Sequence, residues 1–261
     1  MPGVLGESFF KSIGPEQQIV QIFKHVLGSA DQHRVVADIG MNSGYYTMLS
    51  ASMGARVISF ELQSYCVKLV TELLRQRNPH LVPNVNIVNV GLGTPQVVSV
   101  PNNTCSGTFG QGGVPKVGGP VAGINTCIMD PNQVLPIWSD KVFTLVKIDT
   151  EGAEADILSH LLPLIAAGRI KHLVTELIPH QWPNRGSSME AGLATLEKVT
   201  SYSNRMLLLH DGKPFQFAKE KVTIPFITGG QGNVYEKFSL ADLVKDRADQ
   251  KVGCNLWWTF D

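Results

Sequence analysis

The stretch that decides the fold is VVADIGMNSGYYT, residues 35–47. It has the form of a buried apolar strand that runs into a turn with two glycines and then into a helix. Gly40 and Gly44 allow the backbone to bend sharply and to approach a ligand closely, which residues with a Cβ do poorly. Asp38 stands just before the turn and offers a carboxylate. The turn therefore favours a cationic ligand.

A second carboxylate follows the next apolar run. Residues 57–60 are Val-Ile-Ser-Phe, and Glu61 comes directly after them. In open α/β sheets an acid here, roughly 20 residues after the glycine turn, accepts hydrogen bonds from a ribose diol. Either acid alone could be a helix cap or a solvated strand end. The two together, at neighbouring strand ends, predict a site for a cationic ligand that carries a ribose.

Short runs rich in valine and isoleucine alternate with helical segments along the chain. The predicted strands are 34–39, 56–60, 85–90, 142–148, 170–177 and 205–209, and the predicted helices are 44–53, 64–77, 153–166 and 188–200. This βαβ rhythm is typical of a mostly parallel sheet that is covered on both faces. We therefore expect a single α/β domain over residues 31–261. Residues 1–30 should supply a lead-in helix that packs on one sheet edge or over the ligand end.

One long segment, residues 91–136, interrupts the rhythm with many Gly, Pro, Asn and Thr residues. Loops of this length are usually lids, binding loops or mobile segments. Within it, residues 96–100 and 123–129 each have the composition of a short strand. The apolar C-terminal run NLWWTF, residues 255–260, is predicted to be an antiparallel edge strand beside residues 206–209.

Composition excludes several classes of partner. The 22 basic and 22 acidic residues balance, so there is no electrostatic case for a nucleic-acid partner. No apolar run approaches the roughly 18–20 residues that span a bilayer. The four cysteines are far apart with no paired spacing, which predicts free thiols, no zinc site and a cytoplasmic protein. The oligomeric state is left open between monomer and homodimer.

The glycine turn differs from the loops that bind phosphates. A dinucleotide-binding turn has the spacing G-x-G-x-x-G, and a phosphate-binding loop ends in Gly-Lys-Ser/Thr; neither is present. A carboxylate at the mouth of the turn, Asp38, would also repel a pyrophosphate. S-adenosylmethionine suits the turn because it carries an amino group, a sulfonium and a ribose diol. The predicted cofactor is therefore S-adenosylmethionine.

Three motifs, DIGMNSGYYT, FELQ and KIDTEGAE, resemble those of the FkbM family of S-adenosylmethionine-dependent methyltransferases, and the resemblance spans residues 35–179. It implies a class I methyltransferase fold, Rossmann-like and doubly wound, with seven strands of which the last is antiparallel. It also implies O-methylation of a hydroxyl on a sugar, polyketide or similar small molecule. The cofactor-binding residues implied by the motif match are Asp38, Gly40, Asn42, Gly44, Thr47, Glu61 and Leu62. Met41, and Leu62 in place of a proline, depart from the family pattern.

Methyl transfer to an aliphatic hydroxyl benefits from a general base, because the hydroxyl loses its proton as the new bond forms. Asp149 and Glu151 follow one predicted strand, and Glu176 ends the next, with His180 shortly after it. Ligand crevices in such sheets lie outside the carboxyl ends of the strands. The predicted base is Asp149 or His180, with Glu151 and Glu176 shaping the acceptor site.

Other hypotheses remain open at the level of sequence. The cluster of Asp149, Glu151 and Glu176 offers oxygen ligands that suit Mg²⁺. A nicotinamide-dependent oxidoreductase would share the acid at position 61 but would need a different glycine spacing. A third hypothesis is a non-catalytic domain that keeps the fold, with or without bound cofactor, and acts as an interaction module.

Overall fold

A computed structural model describes residues 17–28, 33–101, 105, 123–210, 215, 217–218, 220–227 and 233–260. The helices in chain order are α1 (Gln17–Leu27), α2 (Tyr45–Ser52), α3 (Ser64–Arg77), α4 (Pro131–Trp138), α5 (Glu154–Ala166), α6 (Met189–Tyr202) and α7 (Leu240–Gln250). The strands are β1 (Val35–Ile39), β2 (Arg56–Phe60), β3 (Val85–Val88), β4 (Gly91–Leu92), β5 (Gln96–Pro101), β6 (Gly123–Met129), β7 (Phe143–Ile148), β8 (Ile170–Leu177), β9 (Arg205–His210), β10 (Asn233–Tyr235) and β11 (Cys254–Thr259).

The main sheet has eight strands in the order β3-β2-β1-β7-β8-β11-β9-β10. The pairs from β3 to β8 are parallel, whereas β11 is antiparallel to both of its neighbours and β10 is antiparallel to β9. The predicted α/β class I arrangement is confirmed, with β10 as an additional edge strand. Its three residues carry too little strand pattern to be recognised in the sequence.

Helices cover both faces of this sheet, as alternating side chains on each strand require. One core joins α5, α6 and α7 to the side chains of Ile39, Val146 and Leu173. The opposite core joins α1, α2 and α3 to the side chains of Val36 and Leu145. Helix α1 therefore packs on a face at the centre of the sheet, which corrects the expectation of an edge or ligand-end position.

The segment that interrupts the strand rhythm folds into a second, smaller sheet of order β4-β6-β5. Both short strands predicted within it are present, at Gln96–Pro101 and Gly123–Met129. Helix α4 was not predicted; it begins after Asp130, whose side chain accepts a hydrogen bond from Asn132 N. The small sheet reaches the ligand end of the main sheet, where Gln96, Val98 and Ile128 face a cavity.

Two further sequence expectations are wrong. The C-terminal strand β11 lies between β8 and β9 and is not an edge strand. Its apolar run is long enough to be buried on both sides, as Trp257 and Trp258 are. Cys66 and Cys105 form a disulfide across 39 positions of sequence, so these two are not free thiols. Cys127 and Cys254 are free.

Candidate functional site

A cavity of about 260 Å³ opens at the carboxyl ends of β1, β2 and β7. Parallel strands place their following loops at one edge of the sheet, which is where ligands bind in folds of this kind. Its apolar wall includes Phe60, Leu62, Val90, Leu92 and Ile157. Among the residues that the structure describes, its charged lining consists of the carboxyl groups of Glu61, Asp149, Glu151 and Asp156 and one basic side chain, that of Arg185.

Glu61 is fixed at the end of β2 by backbone donors. Its Oε2 accepts a hydrogen bond from Asn42 N at 2.8 Å, and its Oε1 accepts one from Gln63 N at 2.8 Å. Asn42 has φ 49, a left-handed conformation that asparagine tolerates better than most residues. Burial raises the pKa of Glu61, while the bonds from Gln63 and Asn42 oppose that rise. The backbone of the glycine turn therefore holds the carboxyl group of Glu61 in place through a direct hydrogen bond.

Gly40 allows the turn to pass close to the loop after β7. It has φ 84, and a Cβ at this position would lie 1.8 Å from the carbonyl oxygen of Asp149. The two loops are also joined by a hydrogen bond from Asp149 N to Ile39 O at 2.9 Å. Close approach of β1 and β7 thus depends on glycine here.

Asp38 lies beneath the turn rather than on the cavity wall. Its Oδ2 accepts a hydrogen bond from Thr47 Oγ1 at 2.7 Å, and it is only 1% exposed. Burial raises the pKa of Asp38, and the charge of Lys147 and the Thr47 hydroxyl oppose that rise. Its other oxygen, Oδ1, is buried with no hydrogen-bond partner among the described residues.

Asp149 lies between a buried cation and a second carboxyl group. Lys147 Nζ donates to its Oδ2 at 2.8 Å, and its side chain is hydrogen-bonded to that of Glu176. Burial alone would raise the pKa of Asp149, but the charge and hydrogen bond of Lys147 hold it below the usual value. Burial and the neighbouring Asp149 raise the pKa of Glu176 to about 10. At neutral pH Asp149 is ionised and Glu176 carries a proton.

Glu151 and Arg185 face the cavity from two adjacent loops. Glu151 has φ 55, and burial together with Asp149 and Glu154 raises its pKa to about 7. Arg185 Nη2 donates to the carbonyl oxygen of Glu151 at 3.5 Å. Burial lowers the pKa of Arg185, against the charges of Glu154 and Glu151. Glu151 therefore changes charge near neutral pH within a cavity that is otherwise acidic.

Glu154 has a structural role beneath the loop. Its Oε1 accepts hydrogen bonds from Gly152 N at 2.7 Å and Thr150 Oγ1 at 3.2 Å, and its Oε2 accepts one from Trp182 Nε1 at 3.3 Å. The carboxyl group is fully buried, and buried polar groups of this kind are normally hydrogen-bonded. Glu154 thereby ties the loop after β7 to the segment that carries Arg185.

The structure brings together most of the predicted site residues. The cavity is lined by Gly40, Asn42, Glu61, Leu62, Asp149 and Glu151, whereas Asp38, Gly44, Thr47, Glu176 and His180 are not among its lining residues. Gly44 has φ 78 and packs against Val70; a Cβ at position 44 would lie 2.6 Å from Val70 Cγ1. His180 Nε2 lies 3.3 Å from Gln181 Nε2, and burial and Lys251 lower the pKa of His180.

Sequence reasoning missed several residues of the site. The ammonium group of Lys147 pairs with Asp149. The alternation of side chains along a strand puts positions 147 and 149 on one face, so this signal was present. Arg185 and Asp156 also line the cavity. Arg185 lies in a 3-10 helix, Pro179–Arg185.

The predicted cation site fits poorly. Oxygens of Asp149, Glu151 and Glu176 lie within 4.8 Å of one another. However, Lys147 already neutralises Asp149, and Glu176 is protonated at neutral pH. A divalent cation would have to displace both the ammonium and the proton.

The lining fits a cationic methyl donor better than a phosphate-bearing cofactor. On this lining Glu61 presents a carboxyl group held by backbone donors, and Asp149 presents a second one. An amino group, a sulfonium and a ribose diol would each find a complementary oxygen, and the apolar wall offers a surface for a purine ring. A pyrophosphate would meet the same carboxylates with unfavourable electrostatics.

No protein-family model and no curated protein sequence matches the chain. Solved methyltransferase structures resemble it. The O-methyltransferase TomG from Streptomyces achromogenes, in complex with SAM and involved in tomaymycin synthesis, has a TM-score of 0.47 at 10% identity, over 94% of this chain and 80% of that one. The METTL16 methyltransferase domain has a TM-score of 0.46 at 12% identity, over 93% of this chain and 66% of that one.

An rRNA methylase from Streptococcus thermophilus has a TM-score of 0.44 at 10% identity, over 93% of this chain and 94% of that chain. At these identities the likeness extends to the fold alone. The strand order with β11 inserted antiparallel between β8 and β9 is that of class I methyltransferases. The chain has an α/β, Rossmann-like fold with a mixed, mainly parallel sheet. Among its described residues, no helix has the length and apolar character that crossing a membrane requires.

Proposed function

We propose that this protein is an S-adenosylmethionine-dependent O-methyltransferase of the FkbM type that acts on a hydroxyl group of a small molecule. The observation that carries the proposal is the cavity at the strand ends, where the described residues contribute four carboxyl groups and one basic side chain, that of Arg185, to the lining. Such a lining attracts a cationic cofactor. The motif spacing around Asp38, Glu61 and Asp149 supports the same assignment.

Each part of the cofactor has a candidate group on the chain. The turn at Gly40 and Asn42 would hold the methionine part, and Glu61 would accept hydrogen bonds from the ribose diol. Leu62 and Val90 would pack against the purine ring. When bound, S-adenosylmethionine supplies an electrophilic methyl group, whose C–S bond breaks as the new C–O bond forms, with the electron pair left on sulfur.

Asp149 is the proposed general base. It is ionised at neutral pH, it lines the cavity and its side chain is 27% exposed. As the acceptor oxygen forms its bond to carbon, the hydroxyl proton would pass to Asp149. Glu176, which is protonated, donates a hydrogen bond to Asp149 and limits its freedom to turn away. Glu151 and Arg185 would contact the acceptor.

Screening hydroxylated sugars, polyketides and phenolics with a radiolabelled methyl donor tests the reaction. Once an acceptor is found, Asp149→Asn should lower the rate of transfer by roughly 10²- to 10⁴-fold, the usual contribution of a general base. Cofactor affinity should be retained. The exposed Asp249, changed to Asn, provides a matched control. An unchanged rate in Asp149→Asn would remove this residue from the mechanism. Cofactor binding with no transfer to any acceptor would favour the interaction module.

A further inference from the structure

Lys147 is a buried cation that the methyl-transfer chemistry does not itself require. Its side chain is only 4% exposed, and it lies near the end of the central strand β7. Burying an ammonium group costs several kcal/mol unless it is paired. A cation in this position therefore needs a compensating contribution from its neighbours.

Three neighbours surround this ammonium group. Asp149 Oδ2 accepts its hydrogen bond at 2.8 Å. Asp38 on β1 lies opposite Lys147 on β7 in the strand register. The positive charge of Lys147 lowers the pKa of Asp38 against the effect of burial. The ring of Tyr46 lies 4.6 Å from Nζ, a distance at which an aromatic face attracts a cation. The ammonium group is thus fixed from three sides.

The strand register explains this arrangement. Residues 147 and 149 share one face of the chain because side chains alternate along β7. In the parallel pair β7 and β8, Lys147 lies opposite Val174 and Ile148 opposite Thr175. Continuing this register by one residue brings Asp149 opposite Glu176. The register therefore places Lys147 two positions before the opposed carboxyl groups of Asp149 and Glu176, on the same face of the sheet.

We propose that Lys147 is a positioning residue that keeps Asp149, rather than Glu176, as the ionised member of this carboxyl pair. This inference rests on the proposed function, in which Asp149 is the general base. Two carboxyl groups in contact cannot both ionise easily. Lys147 donates a hydrogen bond to Asp149 at 2.8 Å, so the negative charge is favoured on Asp149 and the proton on Glu176.

Other charged groups around the pair are Asp38 on β1, Glu151 in the loop after β7, Glu154 on α5 and Arg185 in the segment Pro179–Arg185. The three acids disfavour ionisation of Asp149, whereas the guanidinium group of Arg185 acts in the same direction as Lys147. Without the ammonium group, Asp149 would lie in a buried acidic cluster and would take up a proton at higher pH.

The test is a pH titration of the side-chain carboxyl carbons by ¹³C NMR, with signals assigned through Asp149→Asn and Glu176→Gln. In the unmodified protein, Asp149 should titrate below about 3.9, the ordinary value for aspartate, and Glu176 should stay protonated at pH 7. In Lys147→Met, the Asp149 titration should move upward by more than one pH unit. Lys147→Arg keeps the charge and should restore the low value.

The exposed Lys171 on β8, changed to Met, is the matched control and should leave Asp149 unmoved. If Lys147 only balances Asp38 or fills space, the Asp149 titration will be the same in Lys147→Met, and the proposal is overturned. If Lys147→Met fails to fold, the unmodified protein still provides a test, because an Asp149 pKa above its ordinary value contradicts the proposal.

Titrating S-adenosylmethionine into the unmodified protein tests the proposed function separately. Cofactor binding can be absent even if the carboxyl titration gives the expected result.

Discussion

The side chain of Glu61 accepts a hydrogen bond from the backbone N–H of Asn42, with 2.8 Å between Oε2 and N. This contact joins the end of β2 to the glycine turn after β1. It holds a buried carboxylate at the cavity wall, at the position where folds of this type bind a ribose. Cofactor affinity should therefore depend on the charge at position 61.

Glu61→Gln keeps the size of the side chain and removes its charge. Hydrogen bonds to charged groups contribute about 1.5–3 kcal/mol, so the Kd for S-adenosylmethionine should rise by roughly 10- to 150-fold. Calorimetric titration measures this change. Glu72→Gln, at an exposed position on α3, should bind as the unmodified protein does. Equal affinities in the two variants would exclude Glu61 from the cofactor site.

Glu151 predicts a pH dependence of cofactor binding. Its pKa is raised to about 7, so the carboxyl group is neutral below pH 7 and negative above it. Affinity for a cationic cofactor should rise between about pH 6 and pH 8, by up to roughly fivefold for a partly exposed charge. Glu151→Gln should make this part of the profile flatter. A profile that is as steep in the variant would assign the titration to another group.

Gly40 predicts a large loss of stability on substitution. A Cβ here would lie 1.8 Å from Asp149 O, in a backbone with φ 84. Gly40→Ala should lower the free energy of unfolding by about 2–5 kcal/mol, combining left-handed strain and steric overlap. Gly168→Ala has φ 65 but no atom within 4 Å of its Cβ, so it should cost only about 1–2 kcal/mol. Denaturant unfolding of both variants measures the difference, and equal losses would contradict the close approach of the two loops.

The disulfide between Cys66 and Cys105 lies beside the site. Cys105 Sγ is 3.5 Å from Asn42 Oδ1, and Cys66 is fully buried on α3. Cys105→Ser should lower the free energy of unfolding by about 2–4 kcal/mol, and reductant should have this effect only when both cysteines are present. Cys127→Ser, at an exposed free thiol, is the control. Four titratable thiols in the denatured, unreduced protein would show that the disulfide does not form.

Much of the fold could be predicted because its strands are short apolar runs between helical patterns. The predicted strand 56–60 and the predicted helix 64–77 agree with the structure at both ends. Glu61 lines the cavity because it directly follows β2, whose carboxyl end lies at the ligand edge of the sheet. Strand β11 was predicted at the wrong position because an apolar antiparallel strand of the same composition can lie either at the edge of a sheet or inside it.

Contacts between distant segments could not be predicted. The Cys66–Cys105 pair has no spacing that marks it, and Arg185 reaches the cavity only through the packing of Pro179–Arg185 against the loop after β7. The contact between Asp149 and protonated Glu176 depends on the register between β7 and β8. The pattern of apolar residues does not fix that register to a single residue. Sequence thus indicated Glu61, Asp149 and Glu151 as acids of the cavity, but neither Asp156 nor the distribution of charge among the acids.

The central claim is that the acidic cavity binds a cationic methyl donor. Calorimetric titration of the protein with S-adenosylmethionine and, separately, with NAD tests it most directly. We expect S-adenosylmethionine to bind, NAD to give no heat of binding, and Glu61→Gln to weaken only the former. Binding of NAD without binding of S-adenosylmethionine would contradict the account and favour an oxidoreductase.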